Sequence, residues 1–85
     1  MNCYPALIDG ERGAYGVTFP DLPGIAAMGG TLDEALLNAE EVLRDAATEA
    51  KREGESLALA SVFESIAVPP GAAIVSVPLI PSASP

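Results

Sequence analysis

Tyr15, Val17 and Phe19 alternate with Gly16 and Thr18, the period-two pattern of a strand with one buried face. The pattern predicts a strand over 14–20, with Tyr15 and Phe19 pointing into the core. Pro20 and Pro23 bracket Asp21-Leu22 and cannot donate to a sheet ladder, so the strand stops near Pro20. Before it, Cys3-Tyr4-Pro5-Ala6-Leu7-Ile8 reads as a strand over 3–8, joined through Asp9-Gly10-Glu11-Arg12-Gly13, a five-residue hairpin loop. After the Pro corner, Ile25-Ala26-Ala27-Met28 reads as a short third strand, and Gly29-Gly30 breaks the chain again. Thr31 stands three residues before Glu34, the capping-box spacing in which each side chain satisfies a backbone N–H.

A helix is predicted from about Leu32 to Glu53. Ala35, Leu36, Ala39, Val42, Leu43, Ala46, Ala47 and Ala50 form one apolar stripe at three- and four-residue intervals. Much of that stripe is alanine, which lets a helix lie close to a sheet but buries little area per contact. Gly54 is placed to end the helix, with Lys51 and Arg52 in its last turn, where they complement the dipole. Ser61-Val62-Phe63-Glu64 repeats the cap spacing, predicting a helical turn over 62–66 with Phe63 and Ile66 as core plugs. Pro69-Pro70-Gly71 closes that segment. A last strand is expected over 72–79, ended or placed at a sheet edge by Pro78. The order is β-β-β-α-(short α)-β, an α+β sheet with the helix on one face. A last strand parallel to the first would make the helix a right-handed crossover.

Composition narrows the picture. Eighty-five residues suit one small domain, here 1–80, with little core to spare and a gain to be had from oligomerising. Residues 81–85 read as a linker-like tail, as of a linker cut short. The apolar fraction of 49% excludes disorder by composition. No apolar run approaches the roughly 18 residues of a membrane span, and no signal-peptide pattern opens the chain. The single cysteine, Cys3, has no internal disulfide partner and reads as a buried or half-buried apolar residue in a reducing cytoplasm. Four basic and twelve acidic residues give a net charge of −8. That balance opposes direct nucleic-acid binding by this segment, which needs Lys and Arg against phosphates, and favours a basic protein partner or simple solubility.

Candidate chemistry is sparse. Histidine is absent, and one cysteine cannot build a zinc site or a nucleophile–base pair. No cofactor, metal or catalytic group is expected. Gly29-Gly30-Thr31 before a helix could cradle an anion, but lacks the P-loop lysine and reads more simply as a turn and an N-cap. Asp9, Glu11 and Asp21 fall at hairpin and corner positions, away from the helix carboxylates, so a two-metal nuclease site is not expected. Glu41, Asp45, Glu49 and Glu53 are spaced by four and line one helix ridge, either a surface for a basic partner or a solvated face. Glu40 and Arg44 are spaced as a favourable pair. Asp21 either braces its turn or is displayed to a partner.

The wording Tyr15-Gly16-Val17-Thr18-Phe19-Pro20-Asp21-Leu22-Pro23-Gly24, followed by Gly29-Gly30-Thr31-Leu32-Asp33-Glu34-Ala35-Leu36, closely resembles the N-terminal domain of HicB-type antitoxins. The resemblance runs from about Tyr4 to Leu79. Ile25 stands where the family often has a cysteine. Many relatives continue into a DNA-binding module, and this chain ends before such an element. The resemblance implies a partial ribonuclease H-like fold with sheet order 3-2-1-4, the last strand parallel to the first and the helix a right-handed crossover. It also implies a non-enzymatic role: binding a basic HicA-type toxin, an mRNA-cleaving ribonuclease, and covering its active surface. The partner-binding residues expected for that role are Glu11, Asp21, Glu41, Asp45 and Glu49. The other reading is a stand-alone oligomeric scaffold or small-ligand module, without a toxin partner.

Overall fold

The computed structural model describes residues 3–79. Its elements are β1 (Cys3–Glu11), β2 (Ala14–Thr18), β3 (Ala26–Gly29), α1 (Leu32–Arg52), a 3-10 turn (Phe63–Ser65) and β4 (Ala73–Pro78). The sheet runs in the order β3-β2-β1-β4, with each neighbouring pair antiparallel. The linker-like reading of 81–85 lies outside the described residues.

The β1–β2 hairpin is tighter than the sequence predicts. Pairing continues to Glu11 and Ala14, leaving Arg12-Gly13 as the turn. Two glycines allow this. Gly13 takes φ +94 at the turn, and Gly10 takes φ +98, where a side chain would run into the Ala14 carbonyl.

β4 runs antiparallel to β1, entering opposite Ile8 and leaving opposite Cys3. There is therefore no parallel crossover between them. The cause is the path after the helix. α1 starts at the hairpin end of the sheet, beside Gly30, whose carbonyl accepts from the Gly13 N–H. It runs toward the start of β1. The connection from Glu53 to Ala72 then carries the chain back to the hairpin end before β4 begins, and that return reverses the last strand. Pro78 lies on this edge strand, where a missing donor is tolerated.

One sheet face carries the core. Register aligns Ile8 with Val17, Val17 with Ala27, and Tyr4 with Val77, and all five are buried. Ala35, Ala39 and Leu43 of α1 close over them, with Leu36 and Val42 at the margins. Phe19 and Leu43 are fully buried, each stabilising the fold by roughly 1.5–3 kcal/mol. Tyr15 packs against the core but is only half-buried. The helix approaches closely at Gly29: a Cβ there would stand 2.7 Å from the Ala35 Cα, so only glycine fits under the first turn.

The helix ends follow their sequence signals with one shift. Thr31 Oγ1 accepts from the Glu34 N–H at 3.1 Å. The Glu34 carboxylate accepts from the Gly30 N–H at 2.6 Å, one residue upstream of the usual box partner. At the other end Gly54 takes φ +76. Its N–H donates to the Lys51 carbonyl and the Glu55 N–H to the Ala50 carbonyl, a Schellman closure.

Three expectations are corrected. Cys3 is exposed at the start of β1. Phe63 remains 37% exposed and Ile66 half-buried; Leu57, earlier in the connection, packs on the core instead. Glu40 and Arg44 do not close. The one ion pair among the described residues is Arg52–Glu49 at 3.5 Å, an exposed pair that contributes little.

Candidate functional site

The outward flank of α1 concentrates the acidic groups. Glu41, Asp45 and Glu49 are all exposed and follow one another turn by turn. Asp33 and Glu34 occupy the first turn, where the helix dipole favours negative charge. Leu37 stands 65% exposed one turn before Glu41, an apolar residue within an acidic frame. Asn38 donates through Nδ2 to the Met28 carbonyl at 2.7 Å, fastening this flank to the edge strand β3. Lys51 and Arg52 lie at the far end of the helix.

The other two expected residues lie elsewhere. Glu11 ends β1 beside the hairpin turn. Asp21 lies beyond the opposite end of β2, level with Tyr4, roughly 23 Å along the sheet at about 3.3 Å per residue. The five residues thus form a helix ridge and two outlying carboxylates, not one cluster.

Asp21 has structural work. Its Oδ2 accepts from the Ser61 N–H at 2.7 Å, and its Oδ1 accepts from the Ser61 hydroxyl at 2.5 Å. The brace is therefore long-range: it ties the Pro corner to the connection after the helix. Tyr4 makes a second tie, its hydroxyl donating to the Ala58 carbonyl at 2.8 Å. Burial raises the Tyr4 pKa above its ordinary 10.0, and the nearby Asp21 carboxylate raises it further. Sequence reading missed both ties. Ser61 has the local spacing of a cap, but its hydroxyl reaches Asp21, and no local pattern signals a partner forty residues away.

Among the described residues no three His, Cys, Asp or Glu side chains gather as a metal-ligand group. An open recess lined by Ile8, Tyr15, Leu32 and Ala73 has Asp9 as its one charged lining residue, too few polar groups to orient a small ligand. No helix among the described residues is long and apolar enough to cross a membrane. The chemistry available is that of surfaces: acidic on the helix flank, apolar along the connection.

A family profile described as a HicB-like antitoxin of bacterial toxin–antitoxin systems matches residues 4–80. The crystal structure of the Burkholderia pseudomallei antitoxin HicB superposes with a TM-score of 0.84 at 28% identity, covering 100% of this chain and 70% of that one. The N-terminal domain of the same antitoxin superposes with a TM-score of 0.76 at 29% identity, covering 89% of this chain and 95% of that one. An uncharacterized 14.9 kDa protein of Haemophilus phage HP1 is 45% identical over 40 residues, which are 47% of this chain and 30% of that protein. The chain thus spans less than a third of that curated relative. With the profile covering nearly the whole chain and the fold matching throughout, the chain belongs to the HicB-like antitoxin family of bacterial toxin–antitoxin systems.

Proposed function

We propose that the chain is an antitoxin domain that binds a basic HicA-type toxin and neutralises it by covering its mRNA-cleaving surface. The observation that carries this reading is the outward flank of α1, where Glu41, Asp45 and Glu49 stand exposed on a chain of net charge −8. A ribonuclease binds RNA through positive charge, so an acidic flank competes for the same surface. Opposite potentials raise the association rate and fix orientation more than they add affinity. Glu11 and Asp21 serve this reading as outlying contacts, with Asp21 already engaged by Ser61. The role is non-enzymatic, cytoplasmic and independent of direct nucleic-acid binding by this segment, since its charge opposes phosphate contact. A small core also favours a homo-oligomer.

The test is association kinetics with a HicA-type toxin at several ionic strengths. Glu41→Lys/Asp45→Lys/Glu49→Lys is expected to slow association at low salt by on the order of tenfold and to flatten its salt dependence. An unchanged rate and slope would remove the ridge from the mechanism. No binding by the unaltered chain would end the toxin reading.

A further inference from the structure

The outward side of α1 carries an apolar residue that the fold does not use. Leu37 stands two residues from Ala35 and two from Ala39, both fully buried, so it lies on the opposite side of the helix and is 65% exposed. Its neighbours on the helix surface are the residues three and four positions away. All four are acidic: Asp33 and Glu34 before it, Glu40 and Glu41 after it. Glu34 is turned back to the Gly30 N–H. Asp33, Glu40 and Glu41 form no ion pair among the described residues. Along α1 the first basic residue after Leu37 is Arg44, about two turns on, and Arg12 lies off the helix in the hairpin turn.

We infer that Leu37 is the apolar anchor of the toxin contact: it seats the methylene stems of toxin lysine or arginine side chains whose charged heads the surrounding carboxylates take. The inference rests on the toxin reading above and names the residue at its centre. Two physical facts choose this occupant. A methylene stem with a cationic head needs an apolar surface and an anion side by side, and the helix sets Leu37 and its acidic neighbours about 5–6 Å apart at Cβ. Other occupants meet the same carboxylates unfavourably. A second copy brings twelve acidic residues against four basic ones, and nucleic acid and anionic membranes are repelled outright. Covering Leu37 also expels water from the ring, which strengthens each ion pair at its edge. The leucine and the charges then act on different rates. Edge charges set how fast the toxin arrives and how salt slows it, whereas the covered leucine sets how long it stays.

Association and dissociation rates with a HicA-type toxin, measured by surface plasmon resonance at several ionic strengths, test this. Leu37→Ala is expected to speed dissociation by about tenfold and to leave the association rate and its salt slope unchanged. Leu37→Met keeps an apolar side chain of similar volume and is expected to dissociate like the unaltered chain. Because the side chain is exposed, the urea midpoints of both variants should match that of the unaltered chain. An unchanged dissociation rate for Leu37→Ala overturns the inference, and so does Leu37→Met releasing toxin as fast as Leu37→Ala. Where that happens while Glu41→Lys/Asp45→Lys/Glu49→Lys still slows association, the anchor fails and the toxin reading stands. An unaltered chain that binds no toxin removes both. Sedimentation equilibrium of Leu37→Ala tests the choice of occupant: weakened self-association with unchanged toxin dissociation would hand the leucine to a second copy and overturn the inference.

Discussion

The helix–sheet body and the strap, the connection from Glu53 to Ala72, are built on opposite plans. In the body, apolar side chains turn inward, Leu43 and Phe19 are fully buried, and the charges of α1 face water. In the strap, polar groups make tertiary ties beside the one apolar contact of Leu57: Asp21 and Tyr4 hold the backbone while Leu59 and Val62 stand exposed. The difference teaches that one small fold holds its backbone in two ways, by burial and by directed bonds. Burial supplies the energy of the body, so its surface is free to be acidic. The strap, held by directed bonds, leaves Leu59 and Val62 exposed.

Substitutions can break this contrast in order of effect. Leu43→Ala empties a fully buried site under the helix and is expected to cost about 2–5 kcal/mol, with the whole domain unfolding at lower urea. A loss below about 1 kcal/mol would mean that burial does not anchor α1. Asp21→Ala removes both bonds to Ser61 at a half-exposed site and is expected to cost about 1–2 kcal/mol. Its distinguishing sign is local: amide exchange at Ser61 accelerates while Leu43 stays protected. Equal acceleration at both would merge the two regions into one cooperative unit.

Tyr4→Phe removes one bond to Ala58 and is expected to cost about 1 kcal/mol near neutral pH. It also carries a pH signature. The fold raises the Tyr4 pKa above 10.0, by burial first and the Asp21 carboxylate second, so the neutral phenol is favoured in the folded state. That contribution is complete below the unfolded value and is lost as pH rises through the raised folded value. Stability of the unaltered chain should fall in that alkaline window, and Tyr4→Phe should fall less; parallel curves would refute the assignment. Leu59→Ser is the smallest case, within about 0.5 kcal/mol in urea unfolding of the monomer. A larger loss would show that Leu59 contributes to the body after all.

Much of the body was legible because its signals are local. The alternation through Tyr15, Val17 and Phe19, the cap residues Thr31 and Glu34, and the alanine stripe each reflect neighbours within a few residues. The strand order β3-β2-β1-β4 followed from the family resemblance. The direction of β4, expected parallel to β1 from the same resemblance, is antiparallel, because it depends on the path of the long connection and not on the strand's own residues. The strap ties were hidden for the same reason. Ser61 looks like a cap by spacing, but its partner Asp21 becomes near only after the sheet and helix have formed. Of the candidate site, the helix ridge could be read from a spacing of four. That Glu11 and Asp21 stand apart from it, at opposite ends of the sheet, required the sheet register.

The antiparallel return of β4 also sets an order of events. The β1–β2 hairpin and the packing of α1 on β3 join residues close in sequence, whereas β4 must find β1 from far along the chain, Ala73 opposite Ile8. The strap ties span 54 and 40 residues. Closing such loops is entropically slow, so the hairpin and helix are expected to form first and β4 to zip on last. Until then the edge of β1 is bare and open to pairing with another chain. Changes in the strap should consequently quicken unfolding and leave the folding rate nearly untouched. During synthesis, the open edge of β1 waits for the last strand to emerge before the sheet is complete.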